Sequence, residues 1–127
     1  MRYPLSENFL RYFDVRFADT QELRAEVFGI RYRVYCEEFG YEPIESFPDG
    51  METDEFDERS LHALICHKSS GLSAGCVRMV SPTGERDTDP LPFEQNCGDS
   101  LDQALIDTKS LRRESVCEIS RKSSSRR

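Results

Sequence analysis

The hydrophobic repeat of this chain changes period just after residue 17, and that change limits the folds open to it. Across Tyr12-Phe13-Asp14-Val15-Arg16-Phe17 apolar and polar residues alternate, which places Phe13, Val15 and Phe17 on one face of a half-buried first strand. From Leu23 onward the spacing is helical, with Leu23, Val27, Ile30 and Val34 forming one apolar stripe. Asp19 or Thr20 can cap this helix, Glu22 adds an acid to its first turn, and Gly40 is a natural stop after Phe39. A strand that feeds a long one-faced helix calls for a sheet on which that helix can lie.

The rest of the chain supplies the sheet. Residues 61–66 and 74–80 are apolar runs joined through Lys68-Ser69-Ser70-Gly71, which predicts an antiparallel hairpin. Residues 41–51 carry Pro43, Pro48 and Gly50 and are expected to be irregular, as are residues 81–91. A helix is expected over 101–111 and a short strand over 116–120, with a frayed polar tail at 122–127. The order predicts an α/β (α+β) domain: a mainly antiparallel sheet packed by the first helix, not a doubly wound parallel one.

At 127 residues the chain is one domain. Its net charge of -7 argues against nucleic-acid binding through a general basic surface. The acid is concentrated: between Arg33 and Arg59 there are ten Asp and Glu and no Lys or Arg. Such a run is either a solvated polar region or a rim that attracts an amine-bearing molecule. The five cysteines are odd in number, widely spaced and without zinc-site spacing, which fits a reduced, cytoplasmic protein with no metal. No signal peptide and no membrane span are expected, because no window is long and apolar enough.

Several charged residues stand where charge is costly. Arg78 lies within the apolar run Cys76-Val77-Arg78-Met79-Val80, its neighbours Val77 and Met79 facing the other way. Pairing with Asp54 or Asp57 is the expected compensation. Asp54 and Asp57 are three apart around Phe56, a spacing that turns two carboxylates to one side; they form an exposed acidic turn or grip an ammonium group. Glu118 is in a predicted strand and must be hydrogen-bonded, paired or functional. Arg31 and Arg33 project in different directions, one toward a cleft and one toward solvent. His62 and His67 read as a structural and an exposed histidine, and no G-x-S-x-G elbow surrounds Ser60.

The run Arg31-Tyr32-Arg33-Val34-Tyr35, then Tyr41, Glu52, Asp54, Asp57, Arg78 and Glu118-Ile119-Ser120-Arg121, resembles the autoinducer (acyl-homoserine lactone) synthases. It is closer still to the acyltransferases of the PEP-CTERM/exosortase system and to the N-acyl amino acid synthases. The stretch Glu52-Thr53-Asp54-Glu55-Phe56-Asp57-Glu58-Arg59-Ser60-Leu61-His62 has the form typical of those groups. The resemblance covers roughly residues 10–121 and implies a GNAT N-acetyltransferase-like fold. It implies transfer of an acyl group from an acyl-carrier-protein or coenzyme A thioester to a small amine, with no bound cofactor. Carried over, Glu118 is the acid that helps deprotonate the amine through water, and Arg78 its catalytic companion. Arg31, Tyr41, Asp54, Asp57 and Arg121 match positions that shape or support the acceptor site. Tyr41 stands where the lactone synthases carry Trp.

In such families the strand holding Glu118 is followed by the segment that binds the donor's phosphopantetheine arm. Here only Lys122-Ser123-Ser124-Ser125-Arg126-Arg127 follows, so the chain is expected to be the N-terminal portion of an acyltransferase domain, incomplete in its C-terminal half. Two other readings stay open. One is a non-catalytic remnant that self-associates through an incomplete sheet. The other is a small acidic binding module.

Overall fold

The structure, a computed structural model, describes residues 4–81, 90–97 and 117–124, with backbone alone at 97 and 121–124. A short helix, α1 (Leu5–Tyr12), leads into strand β1 (Phe13–Phe17). Helix α2 (Gln21–Arg31) follows and widens without a break into a π-helical stretch, Tyr32–Glu38. Short 3-10 turns at Ile44–Ser46 and Asp57–Arg59 precede the hairpin of β2 (Ser60–His67) and β3 (Ser73–Val80). The described residues end with α3 (Pro92–Cys97) and β4 (Glu118–Ser124). The four strands form one antiparallel meander in the order β1-β2-β3-β4.

Local chemistry sets these boundaries. Thr20 Oγ1 accepts the Leu23 N–H at 3.2 Å and caps α2, as the sequence predicts. The helix ends through the longer i→i−5 bond from Phe39 N to Val34 O, and Gly40 turns the chain with φ 64°. Tyr41 N and Glu42 N then both donate to Tyr35 O, which folds the acidic segment back beneath the helix end.

Helix α2 lies on the face of β2, β3 and β4 that carries Leu64, Cys76 and Val80. Val27, Ile30 and Val34 pack there with Ala18, Leu64 and Cys76 to form the main core. A second cluster of Phe56, Val80 and Leu91, with Phe93 against it, closes the other end of the same face.

Two expectations need correction. The Phe13/Val15/Phe17 face is not half-buried: Val15 is 50% and Phe17 67% exposed. That face is turned away from α2, and α1 shields only part of it, with Phe9 stacked on Phe13 at 5.0 Å. Helix α1 itself was not anticipated. The described residues of 81–91 form no helix or strand, as expected, and Leu91 at their end is fully buried and leads into α3, which was not anticipated. The last strand starts at Glu118 and runs past Ser120 to Ser124, because Ser123 and Ser124 pair with Cys76 and Gly75. The helix expected over 101–111 lies outside the described residues.

Candidate functional site

The π-helical turn, the acidic segment and the centre of the sheet converge on a cluster of buried charge. Arg31 falls on the same helical stripe as Val27, Ile30 and Val34, and it is fully buried. Its Nε donates to Glu52 Oε2 at 2.6 Å and its Nη1 to Asp57 Oδ1 at 2.6 Å. Its Nη2 lies 3.9 Å from Asp54 Oδ2. Arg78 enters from β3, and its Nη1 donates to Asp54 Oδ1 at 2.5 Å and to Asp57 Oδ1 at 3.0 Å. Each of the two guanidinium groups is thus paired with carboxylates, three in all, where an unpaired charge would cost several kcal/mol, on the order of 3–5.

The turn that holds the carboxylates is built by its own side chains. Asp57 Oδ2 accepts the Asp54 N–H at 2.7 Å, and Asp54 Oδ1 accepts the Phe56 N–H at 2.9 Å. The Phe56 ring lies under both Arg78 and Arg59, at 5.8 and 5.1 Å from their guanidinium carbons. Arg59 also donates to Pro90 O, tying the turn to the start of α3.

Ionisation follows from this packing. Burial works against the charge on Arg31, but its bonds and attraction to Asp57 and Glu52 prevail and hold its pKa above the ordinary value. Burial likewise opposes the Asp57 carboxylate, and Arg31, the Asp54 N–H and Arg78 outweigh it, so its pKa is lowered. His62, on β2 directly opposite Arg78, is pushed the other way: burial and the two arginines keep the ring neutral despite Asp57 beside it. Its Nε2 is 3.3 Å from Asp57 O.

Beside this network is a cavity of about 280 Å³ lined by Tyr35, Asp54, Phe56, Arg78, Pro92, Asn96 and Ser120. Its size suits a small polar molecule. Asp54, whose side chain is 21% exposed, is the network carboxylate that faces it. Ser120 is on β4 opposite Arg78 and accepts from Arg78 Nε and Nη2 at 3.2 and 3.0 Å.

Of the residues singled out by sequence, Arg31, Asp54, Asp57 and Arg78 are brought together, and Arg33 is exposed. Glu118 is near but not in the cavity lining: its Oε2 accepts the Phe93 N–H at 2.9 Å, in the first turn of α3. Tyr41 is 70% exposed and stacks on Phe39 at 5.3 Å, while tilting against Tyr35 at 6.5 Å. It meets the cavity only through Tyr35. Arg121 lies in β4 where the pairing with β3 shifts register between Cys76 and Arg78. Sequence reasoning gave no role to Tyr35, Asn96 or Ser120, and it did not single out Glu52 as Arg31's buried partner. The available signals were the clustering of acids near residue 52 and the place of Tyr35, Glu52 and Ser120 within the motifs that carry the resemblance.

The acetyltransferase (GNAT) domain model matches residues 30–125, most of the chain and every residue of this site. The chain belongs to the GNAT acetyltransferase domain family. Acyl transfer is therefore its general chemistry, and acyl-coenzyme A the donor type that such domains use. No curated protein and no solved structure matches the chain. The antiparallel sheet packed by α2 is the GNAT-type α+β architecture expected. Among the described residues, no His, Cys, Asp or Glu group is arranged to hold a metal ion, and no helix is long and apolar enough to cross a membrane.

Proposed function

We propose that this GNAT domain transfers an acyl group from a coenzyme A or acyl-carrier-protein thioester to a small amine held in the cavity beside Arg78. The observation that carries the reading is the coincidence of the family match with a polar cavity on the same sheet, floored by Arg78 and Ser120. In this reading Asp54 faces the amine, and Arg31, Asp57 and Arg78 hold Asp54 and the turn around it in place. The Glu-x-Asp-Glu-Phe-Asp stretch from Glu52 to Asp57, with Arg78 and Glu118, supports kinship with the autoinducer synthases and exosortase-associated acyltransferases.

The reaction forms a C–N bond and breaks a C–S bond. The neutral amine attacks the thioester carbonyl, its proton passes through water to Glu118, and the thiol leaves after taking up a proton. A base positioned this way contributes roughly 10²–10⁴ in rate. In the state described, Glu118 Oε2 accepts the Phe93 N–H; a carboxylate has capacity left to accept a proton from water. Backbone N–H groups beside β4 are the donors the resemblance implies for the thioester oxyanion.

The test is thiol release from short- and long-chain acyl-coenzyme A and acyl-carrier protein with a panel of amines. Glu118→Gln keeps an amide oxygen for Phe93 N–H and removes the basicity, so release should fall about 100-fold with the fold intact. Release that is amine-independent, or equal in the variant, would exclude this assignment.

A further inference from the structure

Asp57 divides its two carboxylate oxygens between two tasks, and a neutral histidine sits beside the division. Oδ1 accepts from Arg31 Nη1 at 2.6 Å and from Arg78 Nη1 at 3.0 Å. Oδ2 accepts the Asp54 N–H at 2.7 Å and so fixes the turn that presents Asp54 to the cavity. His62 Nε2 lies 3.7 Å from the same Oδ1 that both arginines use, and 3.3 Å from the Asp57 backbone oxygen. Its other ring nitrogen, Nδ1, is buried with no hydrogen-bond partner among the described residues. The Phe28 ring meets the imidazole in a T-shaped contact at 5.4 Å. The charged groups that act on the ring are Asp57 from the turn, Arg31 from α2 and Arg78 from β3.

A proton added at Nδ1 finds no acceptor there, and the charge it brings faces two guanidinium groups. Asp57 is the one carboxylate among the groups acting on the ring, so an imidazolium must draw on its Oδ1. That oxygen already accepts twice, which fills its lone pairs, so a third donor displaces one of the first two. The displacement shifts the whole carboxylate, including the Oδ2 that holds the Asp54 N–H. We infer that His62 is an acid gate on acceptor loading: protonated, it takes Asp57 Oδ1 from the arginines and loosens the turn that presents Asp54 to the cavity. This rests on reading the cavity as the acceptor's site. It adds a positioning residue outside the cavity lining that governs whether the acceptor is held. The new positive charge also opposes an ammonium group at Asp54. Acceptor affinity is therefore full while the ring is neutral and is lost as pH falls through the folded value of His62, which lies below 6.5.

The gate is read first without a ligand. In ¹⁵N-labelled protein the Asp54 amide resonance should follow the titration of the His62 ring with one shared midpoint, moving upfield as its bond to Asp57 Oδ2 lengthens. In His62→Gln, neutral at every pH, it should keep its position across that range. The Leu23 amide, held by Thr20, should move in neither protein. 3-Methylbutylamine, whose ammonium keeps its charge throughout this range, is then titrated at pH values on either side of the midpoint. Its affinity should fall about fivefold when His62 is protonated, a size usual for coupled sites, and should not change in His62→Gln. An Asp54 resonance indifferent to the ring, or a fall in affinity of equal size in His62→Gln, overturns the gate and leaves the acceptor reading intact. So does an amine bound equally on both sides of the midpoint. Absence of amine binding above the midpoint removes both. No thioester is present, so a failure of acyl transfer touches neither measurement.

Discussion

The two faces of the sheet invert the usual assignment of charge and apolar surface. The face beneath α2 buries Arg31, Glu52, Asp57 and Arg78 together with Leu64, Cys76 and Val80. The opposite face presents Leu61, Met79 and Ile119 in one cross-strand row, with Val15 and Phe17 beyond, and all five are exposed. Burial in this domain therefore follows where α2 packs and not which residues are apolar. The charged residues tolerate burial because they arrive as complementary sets with short contacts. The apolar ones stay exposed because no described element other than α1 lies over them.

The sharpest way to break this comparison is to unbalance the buried face. Asp57 contacts both arginines, 2.6 Å from Arg31 and 3.0 Å from Arg78. Asp57→Ala leaves two guanidinium groups short of a partner and should cost about 3–5 kcal/mol in urea denaturation. A loss under about 1 kcal/mol would mean that the charges are hydrated and the face is not closed. Because Asp57 also anchors the Asp54 N–H, the same variant should open the turn that carries the cavity's carboxylate.

Part of this face was legible in the sequence. The three-residue spacing of Asp54 and Asp57 and the isolated Arg78 in an apolar run pointed to each other, and they do pair. Arg31 was half legible: positions 27, 30, 31 and 34 share one helical stripe, but a cation there reads as solvated until its partners are known. Those partners are 21 and 26 residues away, a separation that no local pattern encodes. Helix α3 was hidden because Pro92 follows a segment dense in Pro, Gly and Asp, and the Glu118 contact to Phe93 was hidden with it. On the other face, alternation located β1 and misjudged its exposure, since period two says which residues share a face and not whether anything covers it.

Acid should weaken the buried face in two steps. His62 has a folded pKa below its ordinary 6.5, so the neutral ring is favoured in the folded state. Its contribution is fully present above pH 6.5 and is lost as pH falls from there through the folded value. Asp57, also lowered, contributes fully above its ordinary 3.8 and loses that only as pH falls further, through its folded value. Stability measured against pH should therefore decline first below 6.5, and His62→Gln should remove that first decline while leaving the more acidic one. A profile flat down to pH 4 in the unmodified protein contradicts the placement of a neutral ring beside two arginines.

The smallest effect is expected on the outer face, and it is the one that sharpens the comparison most. Leu61 is 57% exposed at one end of the apolar row, with Met79 opposite it. If solvent bathes that face, Leu61→Thr trades one strand-compatible side chain for another and should change stability by no more than about 0.5 kcal/mol. The matched change on the inner face, Leu64→Thr, removes a fully buried side chain and introduces a hydroxyl among apolar neighbours, which should cost about 2–5 kcal/mol. A cost at Leu61 approaching that at Leu64 would show that the outer face is covered in the folded protein by something other than the described residues. The inversion between the faces would then be a property of the described portion and not of the working molecule.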